Sequence, residues 1–148
     1  MKISLPTGLT IDKKISSIEY QKMKRFMVKH DIGRYRTKQK DFYRIRDRKK
    51  IIAFGRLFEI GPNQLELGSL RVDEAYRGKK LGLFISQELM NDRKDGNDIF
   101  LTTRRQLEKY YKKIGFKIIT KSIPEKLLHT EKRAIAQGID FIIMKLCK

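Results

Sequence analysis

Leu70-Arg71-Val72-Asp73-Glu74-Ala75-Tyr76-Arg77-Gly78-Lys79-Lys80-Leu81-Gly82 is the stretch on which the fold turns. A run that reads as a β-strand enters a short basic loop containing glycine, and the loop opens an amphipathic helix. Such a junction aims several backbone N–H groups and the positive end of a helix at one spot, which makes an anion site. Arg77, Lys79 and Lys80 add side-chain charge, and Gly78 and Gly82 let the backbone approach a bulky ligand. The chemistry points to a phosphate or pyrophosphate, although a solvated basic turn would have the same composition.

A second segment agrees with the first. Leu107-Glu108-Lys109-Tyr110-Tyr111-Lys112-Lys113-Ile114-Gly115-Phe116-Lys117 reads as the end of a helix, a glycine cap and a new strand starting at Phe116. Together the two resemble the cofactor motifs of the GNAT acyltransferases, the acetyl-CoA-dependent N-acetyltransferases. The first resembles a strand-ending Val, four residues, then Arg/Gln-x-x-Gly-x-Gly/Ala; the second resembles Tyr-x-x-x-Gly-Phe. The resemblance covers about residues 41 to 147, and the pair is far more specific than either half.

Working outward, Ile11 to His30 carries Ile11, Ile15, Ile18, Met23, Phe26 and Met27 between charges, which predicts one helix or two short ones, with a break at Gly33. Arg34 to Lys50 is about half basic, with Tyr35, Phe42, Tyr43 and Ile45 interleaved. Aromatics among Arg and Lys can stack bases and contact phosphates. The competing and favoured reading is a strand from Phe42 to Arg46, with Tyr43 and Ile45 inward and the arginines outward. Strands are expected over Ile51 to Ile60 and Gln64 to Val72, joined by a turn at Gly61-Pro62-Asn63. A helix over Lys79 to Asn91, a strand over Ile99 to Thr102 and a helix over Arg104 to Ile114 follow. Phe116 to Thr120 and Ile139 to Leu146 complete the sheet, with loop plus helix over Ile123 to Gln137. This order predicts an α+β fold with a central, mixed and mostly antiparallel sheet flanked by helices, as the GNAT resemblance also implies.

The 148 residues suit a single domain spanning 1–148, long enough to bury one core. No apolar run reaches membrane-spanning length, and Met1 to Thr10 lacks the apolar centre of a signal peptide, so a cytoplasmic protein without a membrane partner is expected. Cys147 is the single cysteine and reads as incidental; a reducing compartment fits. His30 and His129 stand apart without companion ligands, which argues against a metal. With 35 Lys plus Arg against 17 Asp plus Glu, the net charge is +18. That field attracts polyanions, so acidic proteins, nucleic acid or a ribosomal surface become candidate partners and cationic small substrates less suitable.

The resemblance implies a role for each motif residue. The pantetheine arm of acetyl-CoA would pair with the backbone of Leu70, Arg71 and Val72, and the pyrophosphate would sit over the amides of Arg77, Gly78, Lys79, Lys80, Leu81 and Gly82. The family usually has Gly where this chain has Lys80, whose side chain could crowd the diphosphate or add a cation. Tyr111, four residues before Gly115, stands where the family places the tyrosine that protonates the departing thiolate, with Tyr110 as a competitor. Arg104 stands where many members have Asn, and that contact is not carried over. Glu66, six residues before Val72, is the candidate base for the attacking ammonium, with Glu59 in reserve. By strand alternation it shares a face with Gly68 and Leu70; a surface Glu paired with an arginine is the bland alternative. The implied function is transfer of an acetyl group from acetyl-CoA to a primary amine by direct attack in a ternary complex, without a metal. Protein amines, amino acids and aminoacylated RNA are open as acceptors, and the apolar C-terminal strand offers a homodimer edge. A nucleic-acid or ribosome-binding module on the same scaffold, with CoA structural or absent, is the alternative.

Overall fold

The computed structural model describes residues 2–29 and 37–147. His30, Gly33, Arg34, Tyr35 and Arg36, and with them the expected break at Gly33, lie outside the described residues. Seven strands form one sheet in the order β1-β2-β3-β4-β5-β7-β6. They are β1 (Leu9–Asp12), β2 (Phe42–Asp47), β3 (Lys50–Gly61), β4 (Gln64–Val72), β5 (Asp98–Arg104), β6 (Phe116–Ile118) and β7 (Phe141–Leu146). The helices are α1 (Ser17–Lys29), α2 (Leu81–Arg93), α3 (Glu108–Lys112) and α4 (Glu125–Ala136). β4 and β5 run parallel, with Glu66 opposite Phe100, while β1–β2, β2–β3, β5–β7 and β6–β7 are antiparallel. The mixed, mostly antiparallel α+β architecture expected from the sequence is therefore present.

The chain divides into two compact units. One contains Lys2–Leu57 and Gly68–Asn91; the other contains Phe58–Leu67 and Asp92–Lys148. In the first unit α1 places Tyr20, Met23 and Met27 against Ile15, Phe42 and Phe54. That three- and four-residue spacing is the apolar stripe of a helix lying on a sheet. At Gly55 a side chain would meet Leu70 Cδ2 at 2.5 Å and Ile85 Cγ2 at 3.2 Å, so the missing Cβ lets β4 and α2 close in. In the second unit Ile60, Phe100, Leu127 and Ile143 form the core, with Leu127 carried by α4.

Several boundaries differ from the sequence reading, each for a physical reason. Ile11 lies in β1, not in a helix, because its backbone pairs opposite Ile45 of β2. Ile18 is 72% exposed and belongs to the outer face of α1, while Tyr20 takes the inward position. α2 starts at Leu81, two residues late, because Lys80 has φ of +60°, which no right-handed helix accommodates. The expected helix over 104–114 shrinks to a 3₁₀ turn (Arg105–Leu107) and the five residues of α3. β5 extends to Arg104, which pairs with Phe141 and consumes the start of that helix.

The arginines of β2 are a further correction. Arg44 is buried; its Nε donates to Asp12 Oδ2 at 2.7 Å, and its Nη1 meets the Glu19 carboxylate. Arg46 Nε also donates to Asp12, at 2.5 Å. Both faces of Phe42–Ile45 are covered, so the outward arginines of the sequence reading are tied to acidic residues of β1 and α1.

Candidate active site

The basic loop between β4 and α2 is tethered at several points. Asp73 N–H donates to Ile52 C=O at 2.7 Å. The Asp73 carboxylate accepts from Ala75 N–H at 3.1 Å and pairs with Lys50 at 3.3 Å. The Ala75 amide first, then Lys50, hold its carboxyl below the usual range. Tyr76 follows within a single 3₁₀ turn, Glu74–Tyr76. Its hydroxyl donates to Asp47 Oδ2 at 2.5 Å, and that bond chiefly raises its pKa. The ring lies beneath two cations, Lys79 at 5.5 Å and Lys50 at 6.0 Å from its centroid. Arg77 Nε reaches back to Val72 C=O at 3.3 Å.

Beyond Tyr76 the backbone takes left-handed conformations at Gly78, φ +85°, and Lys80, φ +60°. Gly78 meets no steric objection, but Lys80 carries a Cβ into a region that glycine favours. That conformation is the physical content of the glycine the resemblance prefers there. Phe84 N–H donates to Lys80 C=O at 3.0 Å, the first helical bond of α2. The N–H groups of Leu81, Gly82 and Leu83 precede the intrahelical ladder, and a lysine at the cap has no acceptor to satisfy them. Arg77, Lys79 and Lys80 are exposed around them. The donor set fits a diphosphate: N–H groups at a helix start, surrounded by exposed cations.

On β4, Ser69 has φ of +52°, which kinks the strand and interrupts the alternation expected from Glu66 to Leu70. The buried Arg56 donates from Nε to Ser69 Oγ at 3.0 Å at this kink. Beyond it Leu70 packs toward Gly55 and Ile85, while the guanidinium of Arg71 lies 5.5 Å above the Phe26 ring of α1.

Glu66 and Tyr111 lie in the other unit. Glu66 is half-buried and accepts from Thr102 Oγ1 of β5 at 3.4 Å. Glu59, the reserve base, is exposed on β3. Tyr111 stands on α3 with its ring at 5.0 Å from Tyr110 and 6.3 Å from Phe116, both edge-on. Burial, then the neighbouring Tyr110, pushes its pKa up to about 12. Tyr110 is raised by burial alone. Gly115, at φ +101°, ends the turn after α3 and lets Phe116 enter β6. Arg104 is exposed, and its neighbour Arg105 grips both oxygens of Asp140 at 3.0 Å.

The sequence reading missed the Tyr76–Asp47–Lys50 tether. Its signal was in the quoted stretch, where Tyr76 directly precedes Arg77. Among the described residues no group of three His, Cys, Asp or Glu could hold a metal ion, and no helix is long and apolar enough to cross a membrane.

A family model described as an acetyltransferase (GNAT) domain matches residues 38–118, more than half of the chain. No curated protein matches. Among solved structures, Rv2747 from Mycobacterium tuberculosis in complex with CoA superposes with a TM-score of 0.71 at 14% identity, over 94% of this chain and 99% of that one. N-acetylglutamate synthase from Neisseria gonorrhoeae complexed with coenzyme A gives 0.69 at 12%, over 99% of this chain. This chain spans only 37% of that synthase. The ribosomal-protein-S18-alanine N-acetyltransferase from Escherichia coli gives 0.61 at 15%, over 93% and 92%. At these identities the superpositions speak for the fold, and the family match speaks for descent. The matched stretch runs from just before β2 to the end of β6 and contains β4, the basic loop, α2 and α3: the chain belongs to the GNAT acetyltransferase family, whose co-substrate is acetyl-CoA.

Proposed function

We propose that the whole chain, 1–148, works as one N-acetyltransferase domain and transfers the acetyl group of acetyl-CoA directly to a primary amine within a ternary complex. The observation that carries this reading is the start of α2, where N–H groups without a capping acceptor meet three basic side chains and a left-handed Lys80. Leu81, Gly82 and the loop residues Arg77 to Lys80 hold the diphosphate. The backbone of Leu70, Arg71 and Val72 pairs with the pantetheine arm. The thioester supplies an activated acetyl group. Glu66 takes a proton from the acceptor ammonium directly or through water, and a backbone N–H near Val72 polarises the thioester carbonyl. Tyr111 keeps its proton to about pH 12 and holds it for the departing sulfur. Support for Glu66 is its half-buried place on β4, four residues from Leu70 on the same strand. No cysteine nucleophile enters the scheme, and the exposed Cys147 suits a reducing cytoplasm.

The acceptor is a primary amine of a protein, an amino acid or an aminoacylated RNA. The structural neighbours are diverse in this respect: Naa50 of Arabidopsis thaliana is in complex with the bisubstrate analogue CoA-Ac-MVNAL, and the Escherichia coli enzyme is a ribosomal-protein-S18-alanine N-acetyltransferase. The nucleic-acid module loses support, because Arg44 and Arg46, its central arginines, are bound to Asp12. Transfer of labelled acetyl from acetyl-CoA to a panel of amines tests the scheme. Turnover that falls in Glu66→Gln and Tyr111→Phe with unchanged acetyl-CoA affinity is expected. Full turnover in both variants would overturn the assigned roles.

A further inference from the structure

One position of β4 holds a conformation that its residue type does not favour. Ser69 has φ of +52° inside the strand, directly after Gly68. A left-handed backbone suits glycine, and here the glycine stands one place too early to take it. Such strain persists only where the surrounding contacts impose it, and it gathers at sites that bind ligands.

The contact at this position comes from the core. Arg56 of β3 is buried, and its guanidinium lies 5.9 Å from the centroid of the buried Phe42 ring, its opposite number on β2. From there its Nε donates to Ser69 Oγ at 3.0 Å. Taking a guanidinium out of water is costly, and an apolar residue of similar volume would fill the same space without that cost. What the guanidinium adds is direction: a charged donor in a fixed plane makes a strong, oriented tether. Four residues beyond Ser69, Asp73 N–H donates to Ile52 C=O, also on β3, at 2.7 Å. Between the two anchors Leu70 packs toward Gly55. Leu70 to Val72 is therefore pinned to β3 at both ends, and every residue of the arrangement lies in the first unit.

We propose that Arg56 is a positioning residue for acetyl-CoA: through Ser69 Oγ it fixes the left-handed turn of β4, and with it the direction in which Leu70, Arg71 and Val72 present their backbone groups. The proposal rests on the reading in which those three residues pair with the pantetheine arm, and it adds a buried residue that acts only through the strand. A change of direction at Ser69 passes to every peptide plane up to the next anchor at Asp73. The diphosphate donors at the start of α2 lie beyond that anchor, and their loop has a tether of its own through Tyr76 and Asp47. Acetyl-CoA therefore senses the Arg56–Ser69 bond, whereas ADP, which lacks the arm, does not.

Calorimetric titration of the full chain with acetyl-CoA and with ADP tests this. Ser69 is the residue to change, because substitution of the core residue Arg56 endangers the fold. Ser69→Ala, with its fold checked by melting temperature, should bind acetyl-CoA about tenfold more weakly, the worth of one charge-assisted hydrogen bond, while ADP affinity stays within about twofold. Ser69→Asn keeps a side-chain acceptor and tolerates the left-handed backbone, so it should retain the parent's ratio of the two affinities. A general loosening of the fold would move both ligands together. An unchanged acetyl-CoA-to-ADP ratio in Ser69→Ala, equal weakening of both ligands, or a Ser69→Asn no better than Ser69→Ala overturns the proposal. A parent protein that binds acetyl-CoA no tighter than ADP overturns the pantetheine reading itself and the proposal with it, which tells the two failures apart.

Discussion

Tyr111 and Lys80 each carry a physical cost whose sign can be worked out. Burial favours the neutral phenol of Tyr111, so its folded pKa of about 12 lies above the ordinary tyrosine value of 10.0. A raised pKa contributes stability that is complete below pH 10 and lost as pH climbs through 12. Tyr111→Phe should therefore flatten the alkaline limb of the unfolding profile, measured by melting temperature against pH. In catalysis the same variant should lower kcat about 100-fold, the ordinary worth of a general acid, while the Kd for acetyl-CoA stays put. Tyr110→Phe is the control that should retain most turnover. At Lys80 the left-handed φ of +60° burdens a side-chain-bearing residue. Lys80→Gly should stabilise the fold by about 1 kcal/mol in thermal or urea unfolding. It should also weaken the salt-sensitive part of acetyl-CoA binding, because a cation leaves the loop. The glycine preference at this position was legible from the motif; its cause, the backbone angle, was not, since no composition rule reports φ.

Between elements, two polar tethers hold the first unit, and neither showed in the sequence. Tyr76 in the loop reaches Asp47 at the end of β2, 29 residues away in the chain. Tyr76→Phe removes that bond but keeps the ring under Lys79, so ADP affinity should fall about fivefold, equivalent to about 1 kcal/mol. Calorimetry with ADP reads this directly. Asp12 of β1 receives both Arg44 and Arg46. Burial alone would raise its carboxyl, but hydrogen bonds from Arg46 and Arg44, with their charges, hold it below 3.8. A depressed carboxylate stabilises above the unfolded pKa and loses that contribution as pH falls through the folded one. Asp12→Asn should cost about 3 kcal/mol at neutral pH, because it leaves Arg44 buried with weakened compensation. The loss relative to the parent should shrink in acid, as followed by urea unfolding at pH 7 and pH 3. The long strands β3 and β4 were readable from their β-branched and aromatic runs and the Pro62-Asn63 turn, and β4 matches Gln64 to Val72. Edge strand β1 was not, since four residues with two apolar positions carry no periodicity, and pairing with β2 alone makes them a strand.

For the molecule as a whole, order and spacing of the two motifs were enough to expect the GNAT architecture, because strand, loop, helix and capped turn each leave a local mark. The parallel contact of β4 with β5 left none: it is set by the crossover through α2, a long-range arrangement that short-range patterns do not encode. The net charge of +18 was plain, but not how much of it is engaged; Arg44, Arg46 and Arg105 are all bound to aspartates. A field of this size still draws any polyanion, so specific recognition of acetyl-CoA has to be separated from attraction. Calorimetric titration with acetyl-CoA beside ADP, at about 0.15 M salt where the screening length is about 8 Å, makes that separation. The account predicts saturable one-to-one binding, with acetyl-CoA well tighter than ADP, because the pantetheine arm adds backbone pairing along Leu70 to Val72. Acetyl-CoA binding no better than ADP, and vanishing as salt rises, would contradict it.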